Sequence, residues 1–224
     1  MIGCRHMTQT AEPHYFTERA VQDWTRIATR HRIRDEYFLR AVERYLRPGP
    51  ILEIGAATGH LSEILQHRGF DVTASDVSPR FVAAIQSRGV RAQLVDATAN
   101  IRAQTGRFFA NVLAQGVIPL VRRDPATANA TLAAIHAALE PQGRLICISP
   151  HAWRDPDPQS YFRPREQIEI ARASRLYRII KVFPHQVVPT ALYRSWNAGI
   201  LNFLDFHAAR IAAVRLVWVA EKIR

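Results

Sequence analysis

Cysteine is scarce in this chain of 224 residues, where only Cys4 and Cys147 occur. One lies near the chain terminus and the other in an apolar run, so they predict neither a disulfide framework nor a zinc site and suit the reducing cytoplasm. No apolar run approaches the length of a membrane span, and the first residues lack the apolar core of a signal peptide. We therefore expect a cytoplasmic protein, and the sequence leaves open whether Met1 or Met7 is the native start.

Acidic residues are also in short supply, with 19 against 30 basic ones and a net charge of +11. Nearly all of the basic residues are arginines, and 12 basic residues against 6 acidic ones lie in residues 151–224. Such an excess suits an anionic substrate, a nucleic acid or a membrane surface, and an arginine-rich solvated surface explains it equally well. The charge alone therefore selects no partner.

The sequence has no internal repeat and no low-complexity segment, and nothing in it marks a second domain. Its composition, 48% hydrophobic and 22% charged, suits one folded domain with a core of its own. We expect a single domain over residues 1–224. Within it, residues 1–12 are predicted to form a loose tail because they have few apolar anchors.

The most informative stretch lies at residues 50–62. Residues 51–54 are apolar apart from one glutamate and predict a buried parallel strand, while residues 61–65 carry apolar side chains at helical spacing. The small residues between them, 55–59, must form a tight turn, which we call the elbow. An elbow of this kind brings backbone N–H groups and a helix N-terminus next to a ligand bound above the end of the strand.

Two residues separate the ligand classes that compete for the elbow. The dinucleotide fingerprint G-x-G-x-x-G requires a third glycine at the position of His60. Glu53, at the end of the strand, would repel a pyrophosphate but would attract a cationic ligand that carries an ammonium or a sulfonium group. The elbow therefore predicts a cationic ligand.

Acidic residues follow the next two predicted strands as well. Asp76 lies 17 residues beyond Gly59, a spacing typical of an acid that accepts hydrogen bonds from ribose hydroxyls. Asp96 ends the third predicted strand. An elbow followed by two acids at successive strand ends indicates a nucleoside-containing ligand.

Residues 52–59, Leu-Glu-Ile-Gly-Ala-Ala-Thr-Gly, resemble the first motif of the class I S-adenosylmethionine-dependent methyltransferases, E/D-x-G-x-G-x-G. The sequence departs from the motif at Ala57, where the family's glycine lets the backbone approach the methionine part of the cofactor, so a methyl group there weakens binding unless φ stays negative. The resemblance implies that the cofactor is S-adenosylmethionine and the product S-adenosylhomocysteine, with Asp96 accepting from the adenine amino group. The cofactor-binding residues that it implies are Glu53, Gly55, Ala57, Gly59, Asp76, Val77, Asp96, Ala97 and Gln115.

The apolar periodicity and the resemblance together predict an α/β fold. We expect a Rossmann-like, seven-stranded, mostly parallel sheet with an antiparallel last strand, N-terminal helices and a helical insertion before the last strand. The resemblance implies that the N-terminal helices cover the cofactor, but for Trp24 and Tyr37 we expect packing against the sheet edge. The predicted strands are residues 51–54, 70–76, 91–95, 108–114, 144–149, 178–183 and 214–220, and the predicted helices are 15–28, 37–46, 61–68, 80–88, 127–139 and 165–177. A turn is predicted over residues 140–143 and a helical cap over residues 189–213.

His151 is the candidate catalytic residue, because it follows the fifth strand at the edge where parallel sheets bind their ligands. It would act as a general base or would orient the acceptor, and His185 or Tyr161 could do the same. The string at residues 115–118 is not the Asn/Asp-Pro-Pro-aromatic string that grips an extruded nucleic-acid base. The acids of metal-dependent catechol methylation are also missing, so we predict no metal.

The predicted function is methyl transfer from S-adenosylmethionine to a small-molecule acceptor, first of all to an oxygen of a metabolite or natural product. Methylation of a quinone or other lipid would use the apolar insertion and the basic surface in peripheral contact with a membrane. RNA methylation would use the net charge, although no RNA-binding module is present. A non-catalytic cofactor-binding protein is favoured only by Ala57 and by Ala110, which stands where the family often has an acid. The sequence does not determine the oligomeric state.

Overall fold

The computed structural model describes residues 17–26, 28–150, 162–185 and 215–223. Four predictions lie outside the described residues: the tail over 1–12, the insertion over 189–213, His151 and Tyr161.

The described residues alternate between strands and helices, as the sequence predicts. The helices are α1 (Glu18–Arg26), α2 (Ala28–Val42), α3 (His60–His67), α4 (Pro79–Gln86), α5 (Ile101–Thr105), α6 (Ile118–Val121), α7 (Pro125–Ala138) and α8 (Pro164–Ala173). The strands are β1 (Ile51–Ile54), β2 (Val72–Asp76), β3 (Ala92–Leu94), β4 (Phe109–Gln115), β5 (Leu139–Pro150), β6 (Tyr177–His185) and β7 (Arg215–Lys222). A 3-10 turn, Glu43–Tyr45, follows α2. None of these helices is long and apolar enough to cross a lipid bilayer.

The strands form one sheet in the order β3-β2-β1-β4-β5-β7-β6. β7 runs antiparallel to both of its neighbours, and the other six strands are parallel to one another. The predicted fold class is therefore confirmed. Because β1 lies between β2 and β4, the residues that end these three strands meet at one edge of the sheet.

The side chains of β1 alternate between two apolar layers, one on each face of the sheet. Leu52 and Ile54 pack with side chains of α5, α7 and α8, whereas Ile51 packs with side chains of α2 and α3 on the opposite face. By the same alternation, Glu53 shares the face of Ile51. A buried strand in a parallel sheet is normally apolar throughout, so packing gives no reason for a carboxyl group at this position.

The segment after α7 differs from the predicted turn and strand. Residues 140–143 lie within β5 as an irregularity, since Phe109 pairs with Leu139 and Asn111 then pairs with Arg144. Gln142 has a φ of 61° there, in the left-handed region that turns use.

The segment after α8 also differs from the prediction, which extends the helix to Tyr177. Instead, α8 ends at Ala173, Arg175 has a φ of 56°, and Tyr177 begins β6. The Tyr177 hydroxyl donates a buried hydrogen bond to the carbonyl of Leu132, 2.8 Å away. This long-range contact favours the strand conformation over the local helical pattern.

Candidate functional site

The elbow joins β1 to α3 through residues with left-handed backbone conformations. The φ angles of Gly55 and Gly59 are 66° and 74°, which glycine adopts at no steric cost. Gly59 also lies so close to α4 that a Cβ atom built on it would be 2.9 Å from Cγ2 of Ile85. Backbone conformation and packing both require glycine at this position.

Substituting Gly59 should therefore destabilise the protein more than substituting a glycine that has only an unusual φ. Gly89 is the matched control, because its φ is 75° and a Cβ atom there would have no neighbour within 4 Å. We expect Gly59→Ala to lower the free energy of unfolding by about 2–4 kcal/mol, from the left-handed backbone plus the clash, and Gly89→Ala by about 1–2 kcal/mol. Chemical denaturation measures both, and equal losses would contradict the role assigned to Ile85.

Ala57 has a φ of 49°, so the negative φ that would leave cofactor binding unaffected by its methyl group is not present. The reason is a hydrogen bond: the Ala57 N–H donates to Oδ2 of Asp76 at 3.0 Å, which holds the turn in the left-handed conformation. Such a conformation costs a non-glycine residue about 1–2 kcal/mol, so the elbow stores a small strain.

Asp76 ends β2 and links the elbow to the segment that follows β2. Its Oδ2 accepts from the N–H of Ala57 and its Oδ1 accepts from the N–H of Ser78, 2.9 Å away. The side chain is buried, and this burial raises its pKa while the backbone hydrogen bonds oppose the rise. A carboxylate offers about four acceptor sites, so these two bonds leave capacity for a ligand hydroxyl.

Glu53 is a buried carboxyl group on the face of the sheet that α2 and α3 cover. Burial raises its pKa to about 8, and the negative charges of Asp35 and Asp76 add to the rise. The hydroxyl of Ser62, on α3, donates to Oε2 of Glu53 at 2.5 Å and partly offsets the effect. The carboxyl group is therefore mostly neutral at pH 7, and a cation placed beside it would favour its ionisation.

A cavity of about 100 Å³ lies in front of the elbow. Four of the predicted cofactor-binding residues line it, namely Glu53, Gly55, Ala57 and Gln115. The other predicted residues, Gly59, Asp76, Val77, Asp96 and Ala97, are not part of its lining. The residues that sequence reasoning missed are Trp24, Asp35, Ala56, Thr58, His60 and Leu61.

Two of the missed residues come from the N-terminal helices. Asp35 is buried, and its Oδ1 accepts a hydrogen bond from Nε2 of Gln115 at 3.2 Å. Trp24 lines the cavity with 38% of its surface exposed, and its packing against the sheet edge stays a prediction. Tyr37 does pack at the sheet edge, where its ring stacks on His185 of β6 with the centroids 4.8 Å apart.

Asp96 and Val77 follow the neighbouring strands β3 and β2, beyond the cavity. Asp96 is exposed, and its Oδ1 accepts from the N–H of Thr98 at 2.8 Å and from the hydroxyl of Thr98 at 2.7 Å. Val77 is 44% exposed. The acids of β1, β2 and β3 thus form a row at one edge of the sheet. The exposed Val77 directly follows Asp76 in the chain.

Across the described ranges, no group of three or more His, Cys, Asp or Glu side chains could hold a metal ion. The buried thiol of Cys147 belongs to the apolar core, and burial raises its pKa to about 12.

Comparison with known proteins places these features in a family. Residues 26–186 match a family model described as a methyltransferase domain. None of the curated proteins is significantly similar to the chain.

Solved structures extend the comparison to the whole fold. A methyltransferase from Thermotoga maritima, described as S-adenosylmethionine-dependent and as a possible histamine N-methyltransferase, is 18% identical with a TM-score of 0.67, covering 94% of this chain and 99% of that one. An S-adenosylmethionine-dependent methyltransferase from Archaeoglobus fulgidus is 12% identical with a TM-score of 0.65, covering 92% and 100%. A glycopeptide N-methyltransferase in complex with S-adenosylhomocysteine is 16% identical with a TM-score of 0.60, covering 85% and 90%.

Proposed function

Because the chain belongs to the methyltransferase domain family and uses S-adenosylmethionine as its methyl donor, we propose that it methylates a small-molecule acceptor. The observation that supports this proposal best is the row of acids around the elbow. Glu53 and Asp76 are buried at the ends of adjacent parallel strands, where a nucleoside with a cationic amino-acid end would meet both. A pyrophosphate would find no lysine or arginine in the described lining of the cavity to offset its charge.

We assign the parts of the donor to the sheet edge in order. The elbow and Glu53 would receive the amino-acid end, Asp76 would accept hydrogen bonds from the ribose hydroxyls, and Asp96 would accept from the adenine amino group. The exposed side chain of Val77 would contact the adenine face. Gly59 allows α3 to begin close to α4. Ala97 directly follows Asp96 at the same edge of the sheet.

When bound, S-adenosylmethionine supplies a methyl group on a sulfonium, which an acceptor lone pair takes by in-line displacement. The chain has to hold the two reactants in line, and this positioning accounts for much of the rate increase in such reactions. Gln115 and the elbow would set the position of the donor beside the cavity. His151 remains the proposed base for an acceptor that must lose a proton, with His185 as the described alternative at the end of β6.

Oxygen stays the proposed acceptor atom, on a metabolite or natural product. Nitrogen is a second candidate, because two of the compared structures are described as N-methyltransferases, one of them as a possible histamine N-methyltransferase. A neutral amine already has a free lone pair, so it needs less help from a general base than a hydroxyl group does. Lipid and RNA acceptors stay predictions of the sequence, since the insertion over residues 189–213 lies outside the described part of the chain.

The experiment is a turnover assay with the purified protein and S-adenosylmethionine that carries a labelled methyl group. Phenols, carboxylic acids and amines are supplied in turn, and both S-adenosylhomocysteine and the methylated product are measured. We expect turnover with one acceptor class and none with Asp76→Ala. Binding of S-adenosylhomocysteine without turnover in any class would support a non-catalytic protein, and preferential binding of NAD would contradict the cofactor.

A further inference from the structure

Asp35 reaches the cavity from α2, an element that the first methyltransferase motif does not include. The carboxyl group is buried, with 3% of the residue exposed, although most of the charged residues of α2 are arginines. Its Oδ1 accepts from Nε2 of Gln115, which ends β4. Asp35 therefore joins the helical layer to the sheet edge where the donor is expected.

The lining of the cavity has an unequal distribution of charge. Asp35 and Glu53 both contribute carboxyl groups, and Asp35 is close enough for its charge to raise the pKa of Glu53. The described lining contains no lysine and no arginine. Two carboxyl groups of this kind favour a ligand that brings a positive charge into the cavity.

His60, on α3, also belongs to the lining. The side chain of Arg88 approaches its Nδ1 with an N···N distance of 3.0 Å. Its Nε2 atom is buried, so His60 shapes the cavity without presenting this atom to it.

The size of the cavity limits which part of the donor it can hold. A volume of about 100 Å³ has room for several heavy atoms but not for a whole nucleoside, and Asp76 and Asp96 lie outside its lining. The amino-acid end of S-adenosylmethionine is small and carries both an ammonium and a carboxylate group. This end matches the cavity in size and in charge.

We propose that Asp35 binds the α-ammonium group of the methyl donor, so that the cavity selects ligands with a free amino-acid end. The inference rests on the proposed function and adds a selecting residue to it. The carboxylate accepts from Gln115 and lies in the lining of the cavity, where an ammonium group of the ligand would meet it. Gln115 positions the carboxylate of Asp35.

The test compares two ligands that differ only at this end, S-adenosylhomocysteine and 5′-methylthioadenosine, which lacks the amino-acid group. We expect Asp35→Asn to weaken the binding of S-adenosylhomocysteine by about 10-fold to 100-fold, as for a lost charge-assisted hydrogen bond. The affinity for 5′-methylthioadenosine should not change. Glu36→Gln is the matched control, because it makes the same chemical change on the next residue of α2 and should alter neither affinity. Isothermal titration measures all four values, and the melting temperature reports folding.

Each other outcome has a definite meaning. Equal weakening of both ligands, or no weakening of either, would overturn the role of Asp35 while leaving the proposed function intact. Failure of wild type to bind either ligand would instead overturn the proposed function. If Asp35→Asn does not fold, Asp35→Glu gives the same comparison, because the longer side chain keeps the charge but moves it, and only S-adenosylhomocysteine should bind less tightly.

Discussion

Replacing Asp76 with alanine should weaken the binding of S-adenosylhomocysteine by about 10-fold to 100-fold, which corresponds to charge-assisted hydrogen bonds of about 1.5–3 kcal/mol. It should also lower the free energy of unfolding, because the N–H groups of Ala57 and Ser78 both lose their acceptor. The sequence alone predicts only the weaker binding and an unchanged fold in the variant. Calorimetric titration and chemical denaturation measure the two effects separately.

Asp124 provides the control for this substitution. Its carboxylate also accepts from two backbone N–H groups, those of Ala126 and Thr127, but it is exposed at the start of α7. Asp124→Ala should lower stability slightly, as for a lost helix cap, and should leave ligand affinity unchanged. If Asp76→Ala behaves in the same way, Asp76 supports the elbow and does not bind the ribose.

Replacing Glu53 with glutamine should make the protein more stable than wild type above pH 8. The pKa of Glu53 is 4.5 in an ordinary environment and about 8 in the folded protein, because the carboxyl group is buried. Between these values the folded chain holds a proton that the unfolded chain has released, so the free energy of unfolding falls by about 1.4 kcal/mol per pH unit as the pH rises. The loss begins near pH 4.5 and is complete above pH 8, where it reaches several kcal/mol.

Denaturation curves across this pH range check the prediction, with glutamine removing most of the slope. Glutamine can still accept from Ser62, so the fold should be kept. Glu169→Gln, the same change at an exposed position on α8, should leave the slope unchanged. If the free energy of unfolding of wild type does not change with pH over this range, Glu53 does not hold a proton in the folded state. The gain in stability should come with weaker binding of S-adenosylhomocysteine, because the ammonium group loses an ionisable partner.

The elbow and its acids could be predicted from the sequence because each depends on residues close together in the chain. The strand before Gly55, the helix after Gly59 and the spacing to Asp76 are local patterns, and the structure has them where they were expected. The antiparallel last strand followed from the family resemblance, and the comparisons confirm that family over residues 26–186.

The features of the site that the sequence did not predict depend on contacts between distant parts of the chain. Asp35 is one of two adjacent acids on an arginine-rich helix, and nothing local distinguishes it from Glu36 until α2 packs beside Gln115. The positive φ of Ala57 depends in the same way on a hydrogen bond to Asp76, 19 residues further along the chain. His151, for which sequence reasoning proposed the catalytic role, lies outside the described residues and stays a prediction.

The place of β7 in the sheet affects how the chain can fold while it is being synthesised. β7 lies between β5 and β6 but follows both in the chain, and it carries Trp218, which is almost completely buried. A nascent chain can pair β1 to β5, and so assemble the elbow with its acids, before the ribosome has made β7. During that interval the edge of β5 is unpaired and displays Leu145 and Ile148, the kind of apolar edge on which aggregation begins and chaperones act.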